Sequence, residues 1–125
     1  MKKSIILSVA IILTACVGLQ FDNLEFDRFI TMKEIAQQGV LTCGKPEVKA
    51  YVTRMTEIMR HQNLYSMNRP TRNDIRIATQ KLTDIIETMN SRYSRSSTPS
   101  IAYCQQKFEN ISSGSSTIIS TIGKL

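Results

Sequence analysis

The residues of this 125-residue chain that could do chemistry are few: three cysteines, one histidine and ten carboxylates. His61 follows Arg60 among polar neighbours and reads as a surface residue. Glu25 and Asp27 are two positions apart, so on a helix they fall on different faces. Asp84 and Glu87 are three apart and share a face, but with Lys81 and Thr88 beside them they read as a solvated helix surface rather than an acid/base pair. The chain has no histidine-glutamate zinc motif, no nucleophile-elbow serine and no glycine-rich phosphate loop. Cys-x-x-Cys is absent too, which leaves little to hold a metal. No catalytic residue, cofactor, metal or small-molecule substrate is expected, and the chain is not read as an enzyme.

The cysteines carry more information. Met1-Lys2-Lys3 is basic, and Ile5 to Leu19 is apolar apart from Ser8, Thr14 and Gly18. That run is shorter than the ~20 residues a spanning helix needs. A basic start, a short apolar stretch and small residues before a cut is the pattern of a secretory signal. Leu13-Thr14-Ala15-Cys16 resembles a bacterial lipobox, which implies that Cys16 is lipidated and becomes the first residue of the mature chain. Residues 1–15 are then a signal peptide and 16–22 a lipidated tether. Cys43 and Cys104 remain, 61 positions apart. In an oxidising periplasm they are expected to pair, the alternative being two buried free thiols. On the chain-entropy model, closing that loop stabilises the fold by about 4 kcal/mol.

Removing residues 1–15 leaves 110 residues, enough for one domain with one core. It also leaves 14 basic and 10 acidic residues, a net charge of +4. The charge is uneven, with −2 over 17–34 and +5 over 45–95. A moderately basic face suits anionic headgroups or an acidic partner, or is simply a solvated helix surface. It is too sparse to argue for nucleic acid.

The elements that must position these residues read as four helices, a small all-α bundle over 23–111. A first helix from about Asn23 to Gln38 carries Phe26, Phe29, Ile30 and Ala36, with Asp22 or Asn23 as cap and Gly39 as stop. A second is expected to open at Pro46. Its Val48, Tyr51, Val52, Met55, Ile58 and Met59 recur at three- and four-residue steps. The ordinary reading of this stripe is core packing. The functional reading takes Tyr51, Val52, Met55, Ile58 and Met59 as a methionine-lined groove for a partner's apolar helix. The third helix shows Ile75, Ala78, Leu82, Ile85 and Met89 in one stripe, with Thr71 or Asn73 as cap. The fourth is expected to open at Pro99 behind Thr98, with Ile101, Cys104, Phe108 and Ile111 on one side. The Ser-rich segment 112–125 has two readings: a tail, or a helical extension, because Ile118, Ile122 and Leu125 keep the phase of the preceding stripe.

Two stretches carry a family resemblance. "VLTCGKPEVKAYVTRMTEIMRHQNLYS" (40–66) sets Cys43 after a helix end and before an amphipathic helix. "STPSIAYCQQKFENI" (97–111) places Pro99 before Cys104 and Phe108. With the lipobox-like Cys16, these features resemble the pilotins of type II secretion systems, which are secretin-targeting lipoproteins. The resemblance implies an outer-membrane lipoprotein facing the periplasm, a structural Cys43–Cys104 bond, and a protein partner in the C-terminal helix of a secretin. Val17, in place of an aspartate, fits outer-membrane sorting. Gly44-Lys45-Pro46 and the Ser-rich end depart from the family pattern. Rival readings are a phage- or plasmid-encoded exclusion or immunity lipoprotein and a periplasmic enzyme inhibitor.

The lipobox reading has a direct check. Cys16→Ser is expected to abolish incorporation of labelled palmitate in cells, and label retained on the serine variant would refute it.

Overall fold

A computed structural model describes residues 21–67, 69, 72–95 and 97–124. The signal reading over 1–15, Cys16 and most of the tether lie outside the described residues. The described residues form four α-helices: α1 Asn23–Gly39, α2 Val48–Ser66, α3 Asn73–Tyr93 and α4 Ile101–Ile122, with a 3-10 turn Val40–Thr42 after α1. There is no strand among the described residues.

Each helix starts for a local reason. Asp22 is extended (φ −113°, ψ 111°), and its Oδ1 accepts from the Glu25 amide at 3.0 Å, the expected cap. The two proline starts are displaced. Pro46 and Glu47 form a turn, and regular helix begins at Val48. Pro99 lies two residues before α4, and the cap is Ser100 rather than Thr98: its Oγ accepts from the Tyr103 amide at 3.1 Å. Thr71 lies outside the described residues, and Asn73 is already helical. Arg72 occupies the cap position of α3 without a side-chain capping bond.

The helices run alternately up and down. The end of α2 meets the start of α1 through the Tyr65 hydroxyl, which donates to Asp22 Oδ2 at 2.7 Å. Arg60 forks onto Glu87 at 2.9 and 3.0 Å, and Asn63 Nδ2 donates to Thr83 Oγ1 at 3.2 Å, so α2 and α3 are antiparallel. The start of α4 is joined to the end of α1 by the Cys43–Cys104 disulfide, with Cα atoms 5.7 Å apart. Each helix packs on its sequence neighbour, and α4 returns to α1, closing the ring.

The core is the sum of the four stripes. Phe29, Met32 and Ala36 of α1 meet Val52, Met55 and Met59 of α2, Leu82, Ile86 and Met89 of α3, and Cys104, Phe108 and Ile111 of α4. The Ser-rich segment belongs to this core. α4 runs unbroken through Gly114, and Ser115, Ile118 and Ile122 are all buried. Helical extension, not a separate tail, is therefore the arrangement of 112–122, because the apolar phase resumes every three or four residues and outweighs the roughly 1 kcal/mol that a mid-helix glycine costs.

Two glycines are needed where they stand. Gly44 has φ +84°, which turns the chain immediately after Cys43. At Gly39 an added Cβ would lie 2.4 Å from Phe108 Cε1, a ring fully inside the core. The absent side chain is what lets α1 and α4 approach. Gly39→Ala is expected to cost about 1–3 kcal/mol, the usual range for overpacking. Gly114→Ala, whose Cβ would meet only the tip of Leu82 at 3.3 Å, is expected to cost far less. Thermal melts of the two variants compare them directly, and equal losses would refute the close-approach argument.

Candidate functional site

The expected groove is corrected by the packing. Val52, Met55 and Met59 are at most 1% exposed, covered by the protein's own helices. Tyr51 and Ile58 are partly buried against the same core. Three- and four-residue spacing shows that a face is covered, but not which body covers it, and here the other helices do. The remaining candidates separate as well. His61 is exposed. Glu87 is held by Arg60 of α2, while Asp84 accepts from Gln80 Nε2 at 3.0 Å, so the two carboxylates have different partners.

Sequence reasoning missed a polar centre at the end of the bundle where residue 21 enters. The core stripe of α1 runs Glu25, Phe29, Met32, Ala36, and that of α2 runs Val48, Val52, Met55, Met59, Gln62. In α3, Thr79 sits between Ile75 and Leu82. At this end, three stripes thus bring a polar side chain to the inside. The signal was available, since Glu25 and Gln62 are in phase with the apolar residues. Polarity argued against burial, and that argument holds only where no partner is at hand.

Here partners are at hand. Gln62 Oε1 accepts from Arg28 Nη1 at 3.1 Å, and its amide lies near enough to Glu25 to favour the ionised carboxylate. The Tyr65 ring has the Arg28 and Arg69 guanidinium groups each 4.9 Å from its centroid. Arg69 also reaches the Tyr65 hydroxyl and the Asp22 carboxylate. Asp22 therefore caps α1 with one oxygen and binds the α2 side of the bundle with the other. Beside this network, between the end of α2 and the start of α3, lies a cleft of about 480 Å³. Glu25, Gln62, Arg69, Arg76 and Thr79 form its polar walls, with Ile75 and the exposed Met67 as apolar surface.

The two carboxylates are tuned in opposite directions. Burial pushes Glu25 above its ordinary value, more than the Gln62 amide and nearby arginines pull it down. Burial also acts on Asp22, but the Tyr65 hydroxyl, the Glu25 amide and Arg69 together hold it below its ordinary value. A carboxylate set among amide and guanidinium groups, with no cysteine or histidine in the cleft lining, suits polar recognition. Among the described residues no group of three or more metal-ligating side chains gathers, and no helix is long and apolar enough to cross a membrane.

The chain matches no protein-family model, no curated protein and no solved structure.

The opposed shifts give stability two slopes in pH. Asp22, depressed, contributes stability that is present above 3.8 and lost as pH falls through its folded value. Glu25, raised, contributes stability that is present below 4.5 and lost as pH rises through its folded value. Glu25→Gln is expected to flatten the decline above pH 4.5 while leaving the acid limb in place. Melting temperature against pH reads both limbs, and an unchanged decline in the variant would remove Glu25 as its source.

Proposed function

We propose that this protein is a membrane-tethered adaptor of the bacterial envelope, of the pilotin type, which holds an amphipathic helix of a secretin and carries it to the outer membrane. The observation that carries the reading is the concentration of exposed apolar side chains at one end. Phe21, Leu24, Leu64, Met67 and Ile77 all stand at the end where the tether joins, each at least 40% exposed. Leu41 and Ile101 are the other large apolar side chains exposed among the described residues. Exposed apolar residues gathered this way mark contact surfaces more often than singly scattered ones.

The lipobox-like stretch and the disulfide support export and tethering. If Cys16 carries the lipid, Phe21 lies five positions beyond it, a reach of at most about 18 Å at full extension. The proposed docking surface then lies close to the membrane that the secretin must enter. Met67 at the cleft rim and Ile77 on the neighbouring face of α3 offer apolar contact. Arg76 and Gln80 on the cleft wall offer polar contacts to the other edge of an incoming helix. This is the helix-on-groove mode of recognition, moved from the buried face of α2 to its end.

The test is titration of the folded protein with a synthetic peptide of the C-terminal helix of the secretin encoded in the same genome. Binding at micromolar affinity or better is expected. Truncating or charging an interface anchor typically costs 1 kcal/mol or more, so Met67→Glu and Ile77→Glu are expected to weaken binding about fivefold or more. Leu41→Glu, at the opposite end, is expected to leave it unchanged. No binding by a protein with intact helical circular dichroism would sink the pilotin reading.

A further inference from the structure

We propose that the opposite end of the bundle holds a second binding site, a basic cleft that takes an acidic protein segment. It lies between the turn after Cys43, the first turn of α2 and the α3–α4 connection, with a volume of about 410 Å³. Lys45, Lys49 and Arg95 stand around it, and no carboxylate is among its described lining residues. None of these three cations has an ion pair or hydrogen-bond partner among the described residues, whereas Arg60, Arg69 and Arg72 all have carboxylates. The basic excess of residues 45–95 thus has a location, with three of its charges converging on one concavity.

The shape decides the class of ligand. A membrane surface requires a broad face, while these cations surround a cleft walled by Tyr93, Val48, Pro46 and Pro99. Tyr93 is only 5% exposed, so the cleft has a firm apolar back. The hydroxyl-bearing Ser97 and Thr98 form one edge on non-helical chain. An extended segment can lay its carboxylates on the cations and its stems on the apolar back. Position argues the same way. α2 has 19 residues and is about 28 Å long, several times the Debye length of about 8 Å at physiological salt. If Cys16 carries the lipid, a bundle standing on its residue-21 end holds this cleft beyond the field of its own membrane. The inference rests on the cleft itself and stands whether or not the secretin reading does.

The experiment uses the chain purified with its natural N-terminus in a non-ionic detergent, at low ionic strength. A fluorescein-labelled hexaglutamate peptide is the probe, read by anisotropy. Saturable binding that weakens with added salt is expected, with hexaglutamine as a non-binding control. Each of Lys45→Gln, Lys49→Gln and Arg95→Gln is expected to weaken binding about threefold, as for exposed ion pairs, and the triple variant about tenfold or more. Lys81→Gln, which removes one exposed charge outside the cleft, is expected to have no effect. A loss in Lys81→Gln equal to that in the cleft variants would show that the probe follows net charge and would overturn the site. Competition by phosphatidylglycerol micelles or inorganic phosphate at lower concentration than unlabelled hexaglutamate would assign the cleft to phosphate groups and overturn the acidic-segment proposal.

Discussion

The contact between the first and last helices is the constraint on which the rest depends. α1 and α4 are the most distant helices in the sequence, and the ring of four closes only where they meet. Three features converge on that seam. Gly39 lacks the side chain that would strike Phe108. Cys104 and Phe108 are one turn apart on the buried face of α4. The disulfide ties Cys104 to Cys43, immediately beyond the end of α1. Closing the loop covalently removes entropy from the unfolded chain, worth about 4 kcal/mol on that model. A domain whose total stability is of order 10 kcal/mol would depend heavily on it.

Much of this was legible in the sequence, and the parts that were not share a cause. Stripe periodicity located four helices, and the disulfide followed from two cysteines left after the lipobox was set aside. The helix starts were misplaced at Pro46 and Pro99. A proline suits a first turn, but a side-chain cap can sit after it, as Ser100 does. The groove on α2 was misread because amphipathicity does not name the covering body. The burial of Glu25 and Gln62 does not show in the local pattern, because Gln62 is satisfied by Arg28, 34 positions away. Local patterns report what a residue prefers alone, and these residues are stabilised by partners that only the fold supplies. The continuation of α4 through Gly114 is a milder case. Its phase was visible, but the partner surface that offsets a glycine and a serine in the seam was not.

The two ends of the bundle have opposite character. At the end where residue 21 enters, the charged groups are largely partnered: Asp22 with Arg69 and the Tyr65 hydroxyl, and Arg72 with Asp74, while Glu25 is buried beside the Gln62 amide. What is left over there is apolar. At the disulfide end the left-over groups include the cations Lys45, Lys49 and Arg95, beside the exposed Leu41 and Ile101. One chain thus presents two chemically distinct surfaces about a helix length apart, an arrangement that suits a protein placed between two bodies. Ser115 and Tyr103 each bury a hydroxyl without a hydrogen-bond partner among the described residues. Such groups cost about 1–3 kcal/mol each.

The closed loop also sets how the molecule answers to force. A pull on the chain at residue 21 reaches Asp22 first, where the helix cap, Tyr65 and Arg69 share the load between α1 and the end of α2. If that junction yields, α1 can be drawn out only as far as Cys43. The chain between Cys43 and Cys104, which holds α2 and α3, is bypassed by the disulfide and feels no tension along its length. The bond thus acts as a mechanical stop: the ends of the protein can be stretched, but the middle cannot be unravelled through them.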